Sequence, residues 1–121
     1  MGRFEVILGH AQGYEDGDLE AVMACKTPLE IAACYEKWLE QRQGQSVIDL
    51  PAFPLSEKVS ESFGIYTEIE RSILRYLRSH EDLEAVRILC PDAETRRLYM
   101  VVYNHWFATS KETRLNDGGW D

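Results

Sequence analysis

Apolar and polar positions alternate along this chain in short blocks whose period switches between that of a strand and that of a helix. FEVIL at 4–8 is a brief apolar run ended by Gly9, which predicts a strand. GHAQGYEDGD at 9–18, with three glycines and three acids, predicts a loop, followed by a helical turn or two over 19–25. Thr27, Pro28 and Glu30 then carry a helix start. Thr27 is the N-cap, Pro28 fits the first helical position, and Glu30 can reach back to the cap. Ile31, Cys34, Tyr35, Trp38 and Leu39 recur at helical spacing, so one face is buried, and Gln43 and Gly44 end the helix.

The second half repeats the alternation. SVIDL at 46–50 predicts a strand, stopped by Pro51 and Pro54. Residues 54–66 predict a long loop, and Thr67 with Glu70 has the spacing of a second capping box. The helix behind it buries Ile69, Ile73, Tyr76 and Leu77 and shows Arg71, Arg75 and Arg78 to solvent. AVRILC at 85–90 is the most apolar strand. Pro91 and Asp92 open a last helix in which Leu98, Val101, Val102, Tyr103 and Trp106 predict a broad buried face. Strands alternating with helices predict a parallel sheet, whose ligand sites lie at the carboxyl ends of the strands. The 51–66 segment occupies such a place. Three strands make a small sheet, so either an extra strand lies within 9–26 or another chain covers an edge.

Charge narrows the classes. With 21 acidic against 13 basic residues the net charge is −8, and no Lys/Arg run offsets it, which excludes generic nucleic-acid binding. A small anion can still bind at helix N-termini through backbone N–H groups. Cys25, Cys34 and Cys90 fit neither a disulfide framework nor metal spacing, which points to reduced thiols and a cytoplasmic protein. No signal-peptide pattern occurs and no apolar run approaches membrane-spanning length. Residues 1–111 read as one domain and 112–121 as a flexible tail.

Several segments together resemble the carboxyl half of a macro domain, the ADP-ribose-binding fold. LEIAACYEKWLEQ followed by SVIDLPAF is similar to that family's CY-containing helix and the strand after it. FGIYTEIERSILRYL (63–77) resembles its phosphate-cradling loop and helix, and LEAVRILCPDAETRRLY (83–99) its last strand and helix. RFEVILGHAQG (3–13) is similar to the family strand that precedes the CY-containing helix. The resemblance implies a shortened macro-like domain, three-layer α/β with a small, mainly parallel sheet. It implies a site for ADP-ribose or a related nucleotide diphosphate at Phe63, Gly64, Ile65, Tyr66 and Thr67. Because the family's hydrolytic members depend on the segment missing here, catalysis is expected to be weak or absent, and the residues themselves suggest no catalytic set, cofactor or metal.

Departures from the family pattern qualify this. The family's Asn-rich strand, its glycine-rich loop and its adenine-recognising Asp have no counterpart here. Thr67 replaces a glycine, and PLSEKVSES is inserted before FGIY. In the family, the Asn-bearing strand lies between the counterparts of 4–8 and 46–50. Its deletion implies that these two close up, or that a partner chain supplies the strand in a homodimer through a sheet edge. Asp49 breaks its strand's apolar pattern and should face solvent, a partner or a hydrogen-bond donor. The functional alternatives are a non-catalytic binding module, a protein-interaction module that has lost the ligand site, and, third, an ADP-ribosyl hydrolase.

Each candidate also has a plainer reading. The 63–67 segment fits a capped helix with Gly64 in a positive-φ turn. His10, Gly13, Asp16, Gly17 and Asp18 could hold a metal or a base, or form a solvated loop. Tyr99, Tyr103 and Phe107 could stack on adenine, while helical spacing makes them core. Cys90 stands where α/β enzymes place nucleophiles and where a last strand needs a small apolar residue. His80, at the end of a helix, suits a weakly favourable cation position.

Overall fold

Strands β1 (Arg3–Leu8), β2 (Val47–Pro51) and β3 (Ala85–Cys90) form one parallel sheet in the order β1-β3-β2. Helix α1 (Asp16–Met23) and helix α2 (Pro28–Gln41) connect the first two strands. Helix α3 (Val59–Ser79) leads into β3 and helix α4 (Ala93–Trp106) follows it. The structure is a computed structural model and describes residues 2–108. The chain is a small α/β domain, as its alternating periods predict; the expected 112–121 tail lies outside the described residues.

The strand order corrects one expectation. β1 and β2 neither close on each other nor leave a vacant row between them, because β3 pairs with both along its length. Its sequence suits the centre of the sheet, since Ala85, Val86, Ile88 and Cys90 are all buried. The edges left are the outer sides of β1 and β2.

One face of the sheet carries Phe4, Val6, Ile48, Leu50, Val86, Ile88 and Cys90, all buried. α4 lies against it through Tyr103, whose ring is 5.4 Å from that of Phe4. α3 packs beside α4, and α2 beside α3, where the Tyr76 hydroxyl donates to Leu39 O at 3.4 Å. On the other face Glu5, Arg87 and Asp49 lie abreast. Arg87 donates to both Asp49 oxygens, at 2.6 and 2.9 Å, so Asp49 has found its hydrogen-bond donor.

Local signals place α2 correctly. Thr27 Oγ1 accepts from Glu30 N at 3.2 Å and donates to Glu30 Oε1 at 3.1 Å. Beyond the helix Gly44 sits at φ 99°, a conformation glycine alone adopts cheaply. Two other boundaries move. α1 starts at Asp16 rather than at 19, because Asp18 accepts from the Glu15 N–H at 3.0 Å and closes a cap there. α4 buries a narrower face than expected: Tyr99, Val102 and Tyr103 are inside, while Val101 and Trp106 stand about half exposed.

The largest change is in α3, which begins at Val59 and not at Thr67. Thr67 is no cap; its hydroxyl donates to Phe63 O at 2.7 Å, one helical turn back. Glu70, expected to complete the capping box, is fully buried. The true first turn is fixed by Ser62, whose buried Oγ accepts from Ser56 N at 2.7 Å, and by Ser56 Oγ donating to Glu61 at 2.8 Å. Gly64 has no positive φ.

Candidate functional site

The chain leaving β2 is held by tyrosines. Tyr35 on α2 donates to Pro51 O at 2.6 Å, and Tyr66 on α3 donates to Phe53 O at 2.6 Å. Tyr99 on α4 accepts from Phe53 N at 2.9 Å. All three rings are fully buried, and Tyr66 and Tyr99 stack with centroids 3.8 Å apart. A fourth hydroxyl, Tyr14, donates to Asp49 O at 2.7 Å on the outer edge of β2. A polar tip on an apolar ring suits such positions, because the tip saturates main-chain groups that no strand pairs with while the ring fills the core. Burial pushes every one of these phenols up, Tyr14 to about 12, so they remain neutral: Tyr14, Tyr35 and Tyr66 donate to the main chain and Tyr99 accepts from it.

This grip places Phe53 and Ser56 along a cleft of about 390 Å³ at the carboxyl end of β2. Its second wall is the junction before α2 with that helix's first turn, namely Cys25, Lys26, Thr27, Pro28 and Ile31. Its third is the start of α3, through Glu61 and Ile65. Two further hollows, about 80 and 180 Å³, lie at the opposite ends of α2 and α3. Among the described residues the cleft mixes apolar surface with one cation, Lys26. It also adjoins the amino end of α3, where no side chain caps the first turn and Lys58 is the N-cap. The first N–H groups there belong to Val59 and Ser60, the positive end of the helix dipole.

Of the five residues implied as a phosphate cradle, only Ile65 lines this cleft. Phe63 is half-buried with its ring edge-on to His105, centroids 5.4 Å apart. Gly64 and Thr67 lie within the helix, and the Tyr66 hydroxyl is committed to Phe53. The helix N-terminus expected at Thr67 therefore lies at Val59, beside the cleft.

The other candidates resolve individually. His10, Asp16 and Asp18 are exposed, and among the described residues no three His, Cys, Asp or Glu side chains converge as a metal site. Tyr99 and Tyr103 are core residues and Phe107 packs on Tyr103. Cys90 is buried and pushed up to about 12 by desolvation, against the pull of Arg96, which keeps it a protonated, inaccessible thiol and favours its core role. His80 ends α3 with Nδ1 2.9 Å from Tyr76 O and its ring stacked on that of Tyr76. Among the described residues no helix is long and apolar enough to cross a membrane.

Two features escape a reading of the sequence. One is Glu70, fully buried with neither carboxylate oxygen hydrogen-bonded among the described residues; desolvation pushes it well above the usual carboxylate range. The other is the tyrosine grip. Its one sequence signal is tyrosine, rather than phenylalanine, at positions 35, 66 and 99 of otherwise apolar helix faces. No family model, curated protein or solved structure matches the chain.

Proposed function

We propose that the chain is a macro-like domain that binds ADP-ribose or a related nucleotide diphosphate without catalysing a reaction on it. The observation that supports this reading is the cleft at the carboxyl end of β2, about 390 Å³, within the size range of small-molecule sites. Phe53, Ile31 and Ile65 offer a flat or apolar surface to a base or ribose. Lys26 and the amino end of α3 offer positive charge to the diphosphate. Glu61, the carboxylate on the lining, is occupied by the Ser56 hydroxyl at 2.8 Å.

Calorimetric titration of ADP-ribose into the protein tests the reading. Saturable heat is expected from the wild type, abolished by Ile65→Trp, which fills the cleft, and weakened by Lys26→Glu. Absence of heat at millimolar ligand sinks it.

A second reading, a protein-interaction module that has lost the ligand site, is favoured by a specific observation. Leu29 and Val59, in the first turns of the two helices flanking the cleft, stand 70% and 65% exposed. A homodimer docking through them would appear in light scattering as twice the chain mass, dispersed by Leu29→Asp. A monomer that binds ADP-ribose leaves the first reading alone.

A further inference from the structure

We propose that Cys25 and Cys34 are a redox modification site, a thiol pair that a low-molecular-weight disulfide such as oxidised glutathione converts to an intramolecular disulfide at the cleft wall. The two sulfurs lie 3.7 Å apart, in van der Waals contact, and both residues are half-buried. A disulfide needs about 2.0 Å between sulfurs, so they have less than ~2 Å to close. Rotation of the two side chains with a small shift of the junction supplies it. Cys25 lies in the non-helical junction between the α1 C-cap Ala24 and the α2 N-cap Thr27, its N–H bonded to Val22 O at 3.1 Å, whereas Cys34 is held in the body of α2.

The chemistry distinguishes this pair from the third cysteine. Cys90 is fully buried, so no dissolved oxidant reaches it in the folded domain. Cys25 lines the open cleft and is the thiol such an oxidant meets first. Cys34 is pushed up by burial, with the hydrogen bond to Cys25 adding to the effect, so little of it is thiolate; what suits it to the second step is its place, 3.7 Å from the sulfur it attacks. In the first step Cys25, as thiolate, attacks one sulfur of glutathione disulfide. The S–S bond breaks and one glutathione leaves as thiolate, taking a proton from water. Cys34 then gives up its proton, attacks Cys25 Sγ and expels the second glutathione. The pair loses two electrons and two protons, and the oxidant becomes two thiols.

Closure would draw the 24–26 junction onto α2 and carry Lys26 with it, so the cleft has one shape in the reduced protein and another in the oxidised protein. The site itself does not depend on the identity of the cleft's ligand.

Equilibration of the full chain across reduced and oxidised glutathione buffers, followed by thiol counting and peptide mapping, tests the proposal. The expected oxidised product has one intramolecular bond, Cys25 to Cys34, with Cys90 free, and dithiothreitol restores all three thiols. Cys90→Ser should oxidise like the wild type. Cys34→Ser should instead carry glutathione on Cys25, and Cys25→Ser should form no intramolecular bond, each with an unchanged far-UV circular dichroism spectrum. Three free thiols throughout the range, or a bond that joins two chains or involves Cys90, overturns the proposal.

Discussion

Tyr66 lies flat against Tyr99, the ring centroids 3.8 Å apart and the planes within 9°, and the two hydroxyls grip the Phe53 backbone from either side. One takes the carbonyl and the other the N–H, so the stack acts as a bracket that sets where the chain leaves the sheet. Tyr66→Phe strands a carbonyl and Tyr99→Phe strands an N–H. Each should cost about 0.5–1.5 kcal/mol in urea unfolding, the net worth of one hydrogen bond, because Phe53 is half-buried along the cleft and water can reach the freed group. Loss below the error of the measurement in both variants would show that Phe53 is held by something else.

Glu70 gives a pH dependence of definite sign. Its folded-state pKa is raised well above the ordinary 4.5 by desolvation, so the folded protein holds this proton more tightly than the unfolded chain does. The stability it contributes is fully present below 4.5 and is lost as pH rises through the folded value. Glu70→Met keeps the volume and removes the titration. It should exceed the wild type by more than about 1 kcal/mol in mildly alkaline buffer, and the gap should narrow in acid, where the protonated carboxyl is uncharged but still without a partner among the described residues. A difference that stays constant across that range, measured by denaturant melts at each pH, would contradict a buried, unpaired acid.

Gly64 separates the observed helix from the loop that its sequence suggests. It sits inside α3 with ordinary helical φ, and a Cβ added there meets nothing within 4 Å. Gly64→Ala should therefore stabilise the domain by about 0.5–1 kcal/mol. Destabilisation would place Gly64 in a positive-φ turn and return the helix start to Thr67.

The parts legible in the sequence are those decided within a few residues. Thr27 and Glu30 cap each other, so α2 can be read from its own letters, and the apolar run of β3 announces a buried strand. The start of α3 is not legible, for the same reason in reverse. Thr67 and Glu70 have the spacing of a cap, yet Glu70 is inside the fold and Thr67 bonds backward to Phe63. What extends the helix to Val59 is tertiary: Ser62 is buried where it receives Ser56 N, and Tyr66 must point inward to reach Phe53. The cleft is hidden more deeply, because its walls come from three segments that only the fold brings together. Ile65 is the one residue shared by the expected cradle and the observed lining. The sheet order is out of reach too, since nothing local to 85–90 says that this strand would sit between the other two.

The most direct test of a ligand cleft between α2 and α3 is an amide NMR titration of the assigned, reduced protein with ADP-ribose. The expected result is saturable shifts confined to Lys26, Thr27, Phe53, Ser56, Val59, Ser60 and Ile65, absent from the same titration of Ile65→Trp. No saturable shifts, or shifts centred on residues remote from these seven, would contradict it.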